Sequence, residues 1–171
     1  AYGSLIDEIR KEYDRHSYVL GSSGITEKVK KRYNSVLNME TDKITYARSI
    51  AFLSECLEKY HRQKVIILLD EYDVPLENAY LNGFYDQMVS FISSLFESAL
   101  KTNESLKLAV VTGCLRISRE SNVSAKAETS EKRCKRFLEP SPLGDSLFTG
   151  LNNLKVVSTL DDSYAEYFGF T

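Results

Sequence analysis

Five consecutive apolar residues, Val65-Ile66-Ile67-Leu68-Leu69, stand between Lys64 and the acids Asp70 and Glu71, and this run limits the fold more than any other feature. It shows no polar alternation, so it reads as a β-strand buried on both faces, the kind found in parallel sheets covered by helices. Helical spacing follows it through Phe84, Met88, Phe91, Ile92, Leu95, Phe96 and Ala99, from about Asn82 to a polar stop at Lys101-Thr102-Asn103. Met88 and these aromatics are core positions. A second apolar run spans Leu106 to Thr112, and Lys155-Val156-Val157-Ser158 is a weaker third. Strand, long helix, strand is a βαβ unit with a right-handed parallel crossover. The expected class is α/β, with residues 65–70 and 107–112 as adjacent parallel strands.

Three helical stretches precede the first strand. Leu5, Ile9 and Tyr13 recur at i, i+4, i+8 among charged residues, which predicts an amphipathic helix fading near Leu20. Gly21-Ser22-Ser23-Gly24 breaks it; no strand precedes these glycines and no Gly-Lys-Ser/Thr follows, so they read as a helix–helix turn rather than a phosphate loop. Ile25, Val29, Tyr33 and Val36 or Leu37 mark a second helix, and Ala47, Ile50, Leu53, Leu57 and Tyr60 a third that ends in His61-Arg62-Gln63-Lys64, with His61 at a solvated helix end.

Composition narrows the functional classes. The 171 residues suffice for one domain, with 43% hydrophobic and 27% charged side chains. A net charge of -2 gives no global basic field for holding a phosphate backbone. No apolar run reaches the roughly 18 residues of a membrane span, and the first residues do not form an apolar signal segment. Cys56, Cys114 and Cys134 are widely spaced and only His16 and His61 accompany them, so three reduced thiols in a cytoplasmic protein are expected rather than zinc or disulfides. Residues 122–146 read as an exposed insert; its Lys132-Arg133-Cys134-Lys135-Arg136 stretch has glutamates close by, the pattern of a solvated run rather than a nucleic-acid patch.

The chemistry gathers where the first strand ends. Asp70-Glu71-Tyr72-Asp73 places carboxylates at the carboxyl end of a parallel strand, where ligands of open α/β sheets bind. A nucleoside triphosphatase needs one carboxylate there for hydrated Mg²⁺ and another group to orient or deprotonate the attacking water; Asp70 suits the first role and Glu71 the second, as in a Walker B motif. The plain alternative is that acids end strands because they are soluble. Thr112-Gly113-Cys114-Leu115-Arg116 places a hydroxyl at the tip of the second strand, where it can meet the water or the γ-phosphate. Two other classes compete: a non-enzymatic helical interaction module, and a metal-dependent nuclease built on Asp70, Glu71 and Asp73, whose nearest E-x-x-K spacing is Glu104 and Lys107.

Read together, KVIILLDEYDVPLENAY, the helix with ALKTN, AVVTGCLRISRES, FTGLNNLKVVS and YFGFT resemble the bacterial AAA-ATPase-like family, P-loop ATPases often followed by a PD-(D/E)xK nuclease-like domain. The resemblance covers residues 1–121 and 147–171. It implies an additional-strand P-loop sheet with flanking helices, ATP and Mg²⁺ as cofactors, Asp70 and Glu71 as the Walker B acids, and Thr112 at the sensor-1 strand end. It further implies that Asp73, Arg116, Asn152 and Asn153 occupy characteristic motif positions. The family carries its phosphate loop and lysine upstream of the first helix seen here, and this sequence holds no G-x-x-x-x-G-K-S/T. The expected organisation is therefore a partial ATPase domain: residues 1–63 helical, 64–121 Walker B strand, helix and sensor strand, 122–146 the insert, and 147–171 the end of the core, with the Walker A segment upstream.

Overall fold

The computed structural model describes residues 2–113. Helix α1 (Tyr2–Arg15) leads through a 3₁₀ turn (Ser17–Gly21) to α2 (Glu27–Leu37), the short α3 (Lys43–Ala47) and α4 (Ser49–His61). Strand β1 (Val65–Leu69), α5 (Val74–Leu81), α6 (Tyr85–Phe96) with a π-helical last turn (Glu97–Lys101), and β2 (Leu106–Val111) complete it. No described helix is long and apolar enough to cross a membrane.

Local chemistry sets these boundaries. Thr26 caps α2 by accepting the Val29 amide at 3.5 Å, and Asp42 caps α3 by accepting the Thr45 amide at 2.8 Å. That amide, ahead of the Thr45 hydroxyl, holds the Asp42 carboxyl below its ordinary range. The third predicted helix is two, broken at Arg48, which is both the C-cap of α3 and the N-cap residue of α4. Helix α4 stops where Arg62 takes a left-handed backbone, φ 58°, and returns its amide to the Glu58 carbonyl at 2.7 Å. Gly21 to Gly24 form the helix–helix turn expected of them.

The core joins the helical part to the sheet. Ile6, Ile9, Tyr13, Tyr33, Val36, Phe52 and Cys56 pack together, and Met88, Phe91, Ile92, Leu95, Phe96 and Ala99 of the α6 segment are buried as their spacing predicted. Tyrosines bolt the helices to each other. The Tyr33 hydroxyl donates to the Tyr13 carbonyl at 2.6 Å, and the Tyr13 hydroxyl to the Ser49 carbonyl at 2.7 Å, tying α2 to α1 and α1 to α4. His61 is exposed at the end of α4, where the Tyr18 hydroxyl meets its Nε2 at 3.0 Å.

β1 and β2 are parallel neighbours, in register from Ile66 opposite Leu108 to Leu69 opposite Val111, with an irregularity after Val65 opposite Leu106. The connection between them is longer than one helix: α5 precedes α6, and α6 begins at Tyr85 rather than Asn82. The expectation of strands buried on both faces does not hold among the described residues. Ile67 is 7% exposed, against 53% for Ile66, 73% for Leu68, 54% for Leu108 and 47% for Val110. The described helices pack on one face of a two-stranded sheet, and side-chain alternation turns the other residues of each strand away from them.

Candidate functional site

Parallel pairing brings the carboxyl ends of β1 and β2 to the same end of the sheet, so Asp70 and Thr112, 42 residues apart, become neighbours. The backbone sews them together first. The Thr112 amide donates to the Leu69 carbonyl at 2.8 Å, and the Thr112 carbonyl accepts the Tyr72 amide at 3.1 Å. Between these two bonds the Thr112 hydroxyl donates to Asp70 Oδ1. The Glu71 amide donates to the same Oδ1 at 3.1 Å and lies 3.4 Å from Thr112 Oγ1.

Glu71 sits in the left-handed backbone region, φ 51°, which non-glycine residues adopt uncommonly. Its carbonyl accepts the Val74 amide at 3.2 Å, which closes the turn into α5. The Glu71 carboxylate makes no hydrogen bond or ion pair with another described residue, and Glu71 is exposed, as is Asp70, whose Oδ2 makes no hydrogen bond with a described residue. Both are therefore open to added ligands. Asp73 has a different setting: it is 5% exposed at the N-cap of α5, and its carbonyl accepts the Leu76 and Glu77 amides, each at 2.9 Å.

The loop is shaped by a close approach that sequence reading did not single out. A β-carbon on Gly113 would lie 2.5 Å from Tyr72 Cε1, 2.6 Å from its Cδ1 and 2.9 Å from Asp73 Oδ1. The Tyr72 ring in turn meets Phe96 edge-on at 6.2 Å. Only the Thr-Gly pair at the strand end hinted at this, because a glycine beside a functional strand tip often marks a tight backbone approach. Gly113→Ala is accordingly expected to lower stability by about 1–3 kcal/mol through overpacking, read as a lower urea midpoint with an unchanged slope.

The donor set suits a hard cation. Asp70, Thr112 and Glu71 offer only oxygen, and no group of three or more His, Cys, Asp or Glu that could hold a metal ion by itself occurs among the described residues. One carboxylate plus waters and phosphate oxygens is the usual arrangement for Mg²⁺, which seldom relies on an all-protein cage. Glu104 and Lys107, the spacing weighed for a nuclease, stand at the start of β2, the opposite end of the sheet from Asp70. A groove of about 1700 Å³ between α3, α4 and α6 is lined by Arg48, Phe52, Phe91 and Ser94 among others, and none of Asp70, Glu71 and Thr112 reaches it. Cys56 is a buried free thiol pushed up to about 11 by desolvation, an inert core residue. Arg116, Asn152, Asn153, Cys114, Cys134, the 122–146 insert with Lys132 to Arg136, and Lys155 to Ser158 lie outside the described residues.

No curated protein and no solved structure matches the chain. A family model described as "Predicted AAA-ATPase" matches residues 7–123, a span that contains every described helix from α2 onward, both strands and the Asp70-Glu71-Thr112 cluster. That is well over half of the sequence, and the chain belongs to the AAA-ATPase-like family.

Proposed function

We propose that this chain carries the Walker B and sensor elements of an ATP-hydrolysing P-loop domain, whose phosphate loop is supplied by sequence upstream of residue 1. The observation that carries the reading is the pairing of Asp70 and Thr112 across two parallel strands, with Glu71 at the same tip. Family membership supports it independently.

In this reading Asp70, whose Oδ2 makes no hydrogen bond with a described residue, would hold Mg²⁺. The ion would supply charge neutralisation at the phosphate oxygens. Glu71, exposed and unpaired among the described residues, accepts a proton from the attacking water. Asp73 braces the start of α5 behind them. The motif positions Arg116, Asn152 and Asn153 belong to the same proposal through the family resemblance, and a C-terminal nuclease-like domain is its expected companion.

Asp70→Asn tests the reading in the protein that includes its phosphate loop. The substitution keeps the side-chain size and removes the charge that attracts the cation. Mg²⁺-dependent ATP binding is expected to weaken about tenfold or more, while the much weaker Mg²⁺-free binding stays as it was. Titration of a fluorescent ATP analogue with and without Mg²⁺ measures both. Identical Mg²⁺ dependence in wild type and Asp70→Asn would remove Asp70 from the metal and the reading with it.

A further inference from the structure

We infer that Thr112 is a positioning residue that acts through Asp70 and the Glu71 peptide, rather than a group that itself donates to a phosphate; this rests on the ATPase reading above. A hydroxyl has one proton and two lone pairs. The proton of Thr112 is committed to Asp70 Oδ1, and the Glu71 amide approaches its oxygen at 3.4 Å. Phosphate oxygens are acceptors, so a hydroxyl that has given its proton to Asp70 has none to offer them. The amide and carbonyl of Thr112 are both bonded to the β1 end, at Leu69 and Tyr72, which fixes the backbone from which the hydroxyl reaches Asp70. The Cβ branch further narrows its rotamers.

The clamp has two effects. With Oδ1 occupied by two donors, the Asp70 carboxylate is held in one orientation, and Oδ2 is left without a hydrogen bond among the described residues. The Glu71 peptide is held in its left-handed conformation by Asp70 Oδ1 and Thr112 Oγ1, and this sets where its carboxylate emerges. Thr112 thus links the metal-holding acid to the proton-accepting acid.

Thr112→Val, which keeps the shape and deletes the hydroxyl, and Thr112→Ser, which keeps the hydroxyl, separate this role from a phosphate contact in the full-length protein. The first readout is amide hydrogen exchange without nucleotide. Exchange at Glu71 is expected to rise about tenfold in Thr112→Val and to stay near wild type in Thr112→Ser, since a hydrogen bond to a charged group is lost only in the former. The Tyr72 amide, bonded to the Thr112 backbone carbonyl, is the internal control and should not change. The second readout is Mn²⁺ binding in the presence of ADP, followed by electron paramagnetic resonance. ADP lacks the γ-phosphate, so a residue serving only that group leaves this binding untouched, whereas loss of the clamp raises the Mn²⁺ dissociation constant about tenfold, with rescue by serine. Unchanged Glu71 exchange in Thr112→Val overturns the inference. So does Mn²⁺ binding that falls in Asp70→Asn but not in Thr112→Val, a result that spares the ATPase reading. Mn²⁺ binding indifferent to both substitutions sinks the two together.

Discussion

On the ATPase proposal, Glu71→Gln in the protein with its phosphate loop is expected to cut ATP turnover by about a hundredfold or more and to leave ATP affinity nearly unchanged. The amide has the size of the carboxylate and tolerates the same left-handed backbone, so the bonds from the Glu71 amide to Asp70 Oδ1 and from Val74 to the Glu71 carbonyl survive the change. What disappears is the ability to take a proton. Because the Glu71 carboxylate is exposed and pairs with no other described residue, the substitution strands no cation among the described residues. The loss therefore falls on the chemical step alone. Steady-state phosphate release gives the turnover, and nucleotide titration gives the affinity. Asp70→Asn should show the reverse division, with the larger effect on Mg²⁺-dependent binding. Equal and mild losses in both variants would identify the two acids as ordinary strand-ending residues, kept for solubility.

How much of this could be read from the sequence depended on whether the signal was local. The run from Val65 to Leu69 and its counterpart from Leu106 carry their strand character in their own residues, and a helix between two such strands all but requires parallel pairing. That pairing then places Asp70 and Thr112 side by side without further information. The open face at Ile66, Leu68, Leu108 and Val110 was not legible, because an unbroken apolar run says that both faces are suited to burial but not which layers the described residues contribute. Helix α5 escaped for another reason: Val74 to Leu81 is apolar around much of its circumference and has no clear stripe, and its one local sign was Pro75 in the first turn after Asp73. The break at Arg48 is tertiary as well. Ala47 and Ile50 fit one continuous helix by spacing, whereas Tyr46, Ala47 and Ser49 are all buried on the two sides of the break. The donor directions of Thr112 lay beyond any spacing argument, since they follow from two backbone bonds across the sheet.

The largest change in stability is expected from Tyr13→Ala in the 171-residue chain. Tyr13 is fully buried, its ring lies 4.6 Å from that of Tyr33, and its hydroxyl and carbonyl make one bond each to α4 and α2. Truncation leaves a cavity the size of an aromatic ring at the junction of three helices, at a cost of about 3–5 kcal/mol. Set against a total of about 5–15 kcal/mol for an ordinary domain, that brings the chain close to unfolding at room temperature. Tyr13→Phe keeps the ring and deletes only the bond to the Ser49 carbonyl, so it should cost about 1 kcal/mol. Urea unfolding followed by circular dichroism orders the three proteins, and similar losses from both variants would mean that the hydroxyl rather than the ring holds the junction. The same residue predicts the pH response. Burial raises the Tyr13 and Tyr33 phenols, pushes Tyr85 up to about 12 and Cys56 up to about 11. Each of these groups is held in its protonated form by the fold, so its contribution is fully present below its unfolded value and is lost as pH rises through the folded one. Stability should therefore hold to about pH 8, where an unfolded thiol begins to ionise, and decline above it. Tyr13→Phe removes one of the groups responsible, and its decline above pH 9 should be shallower than that of the wild type.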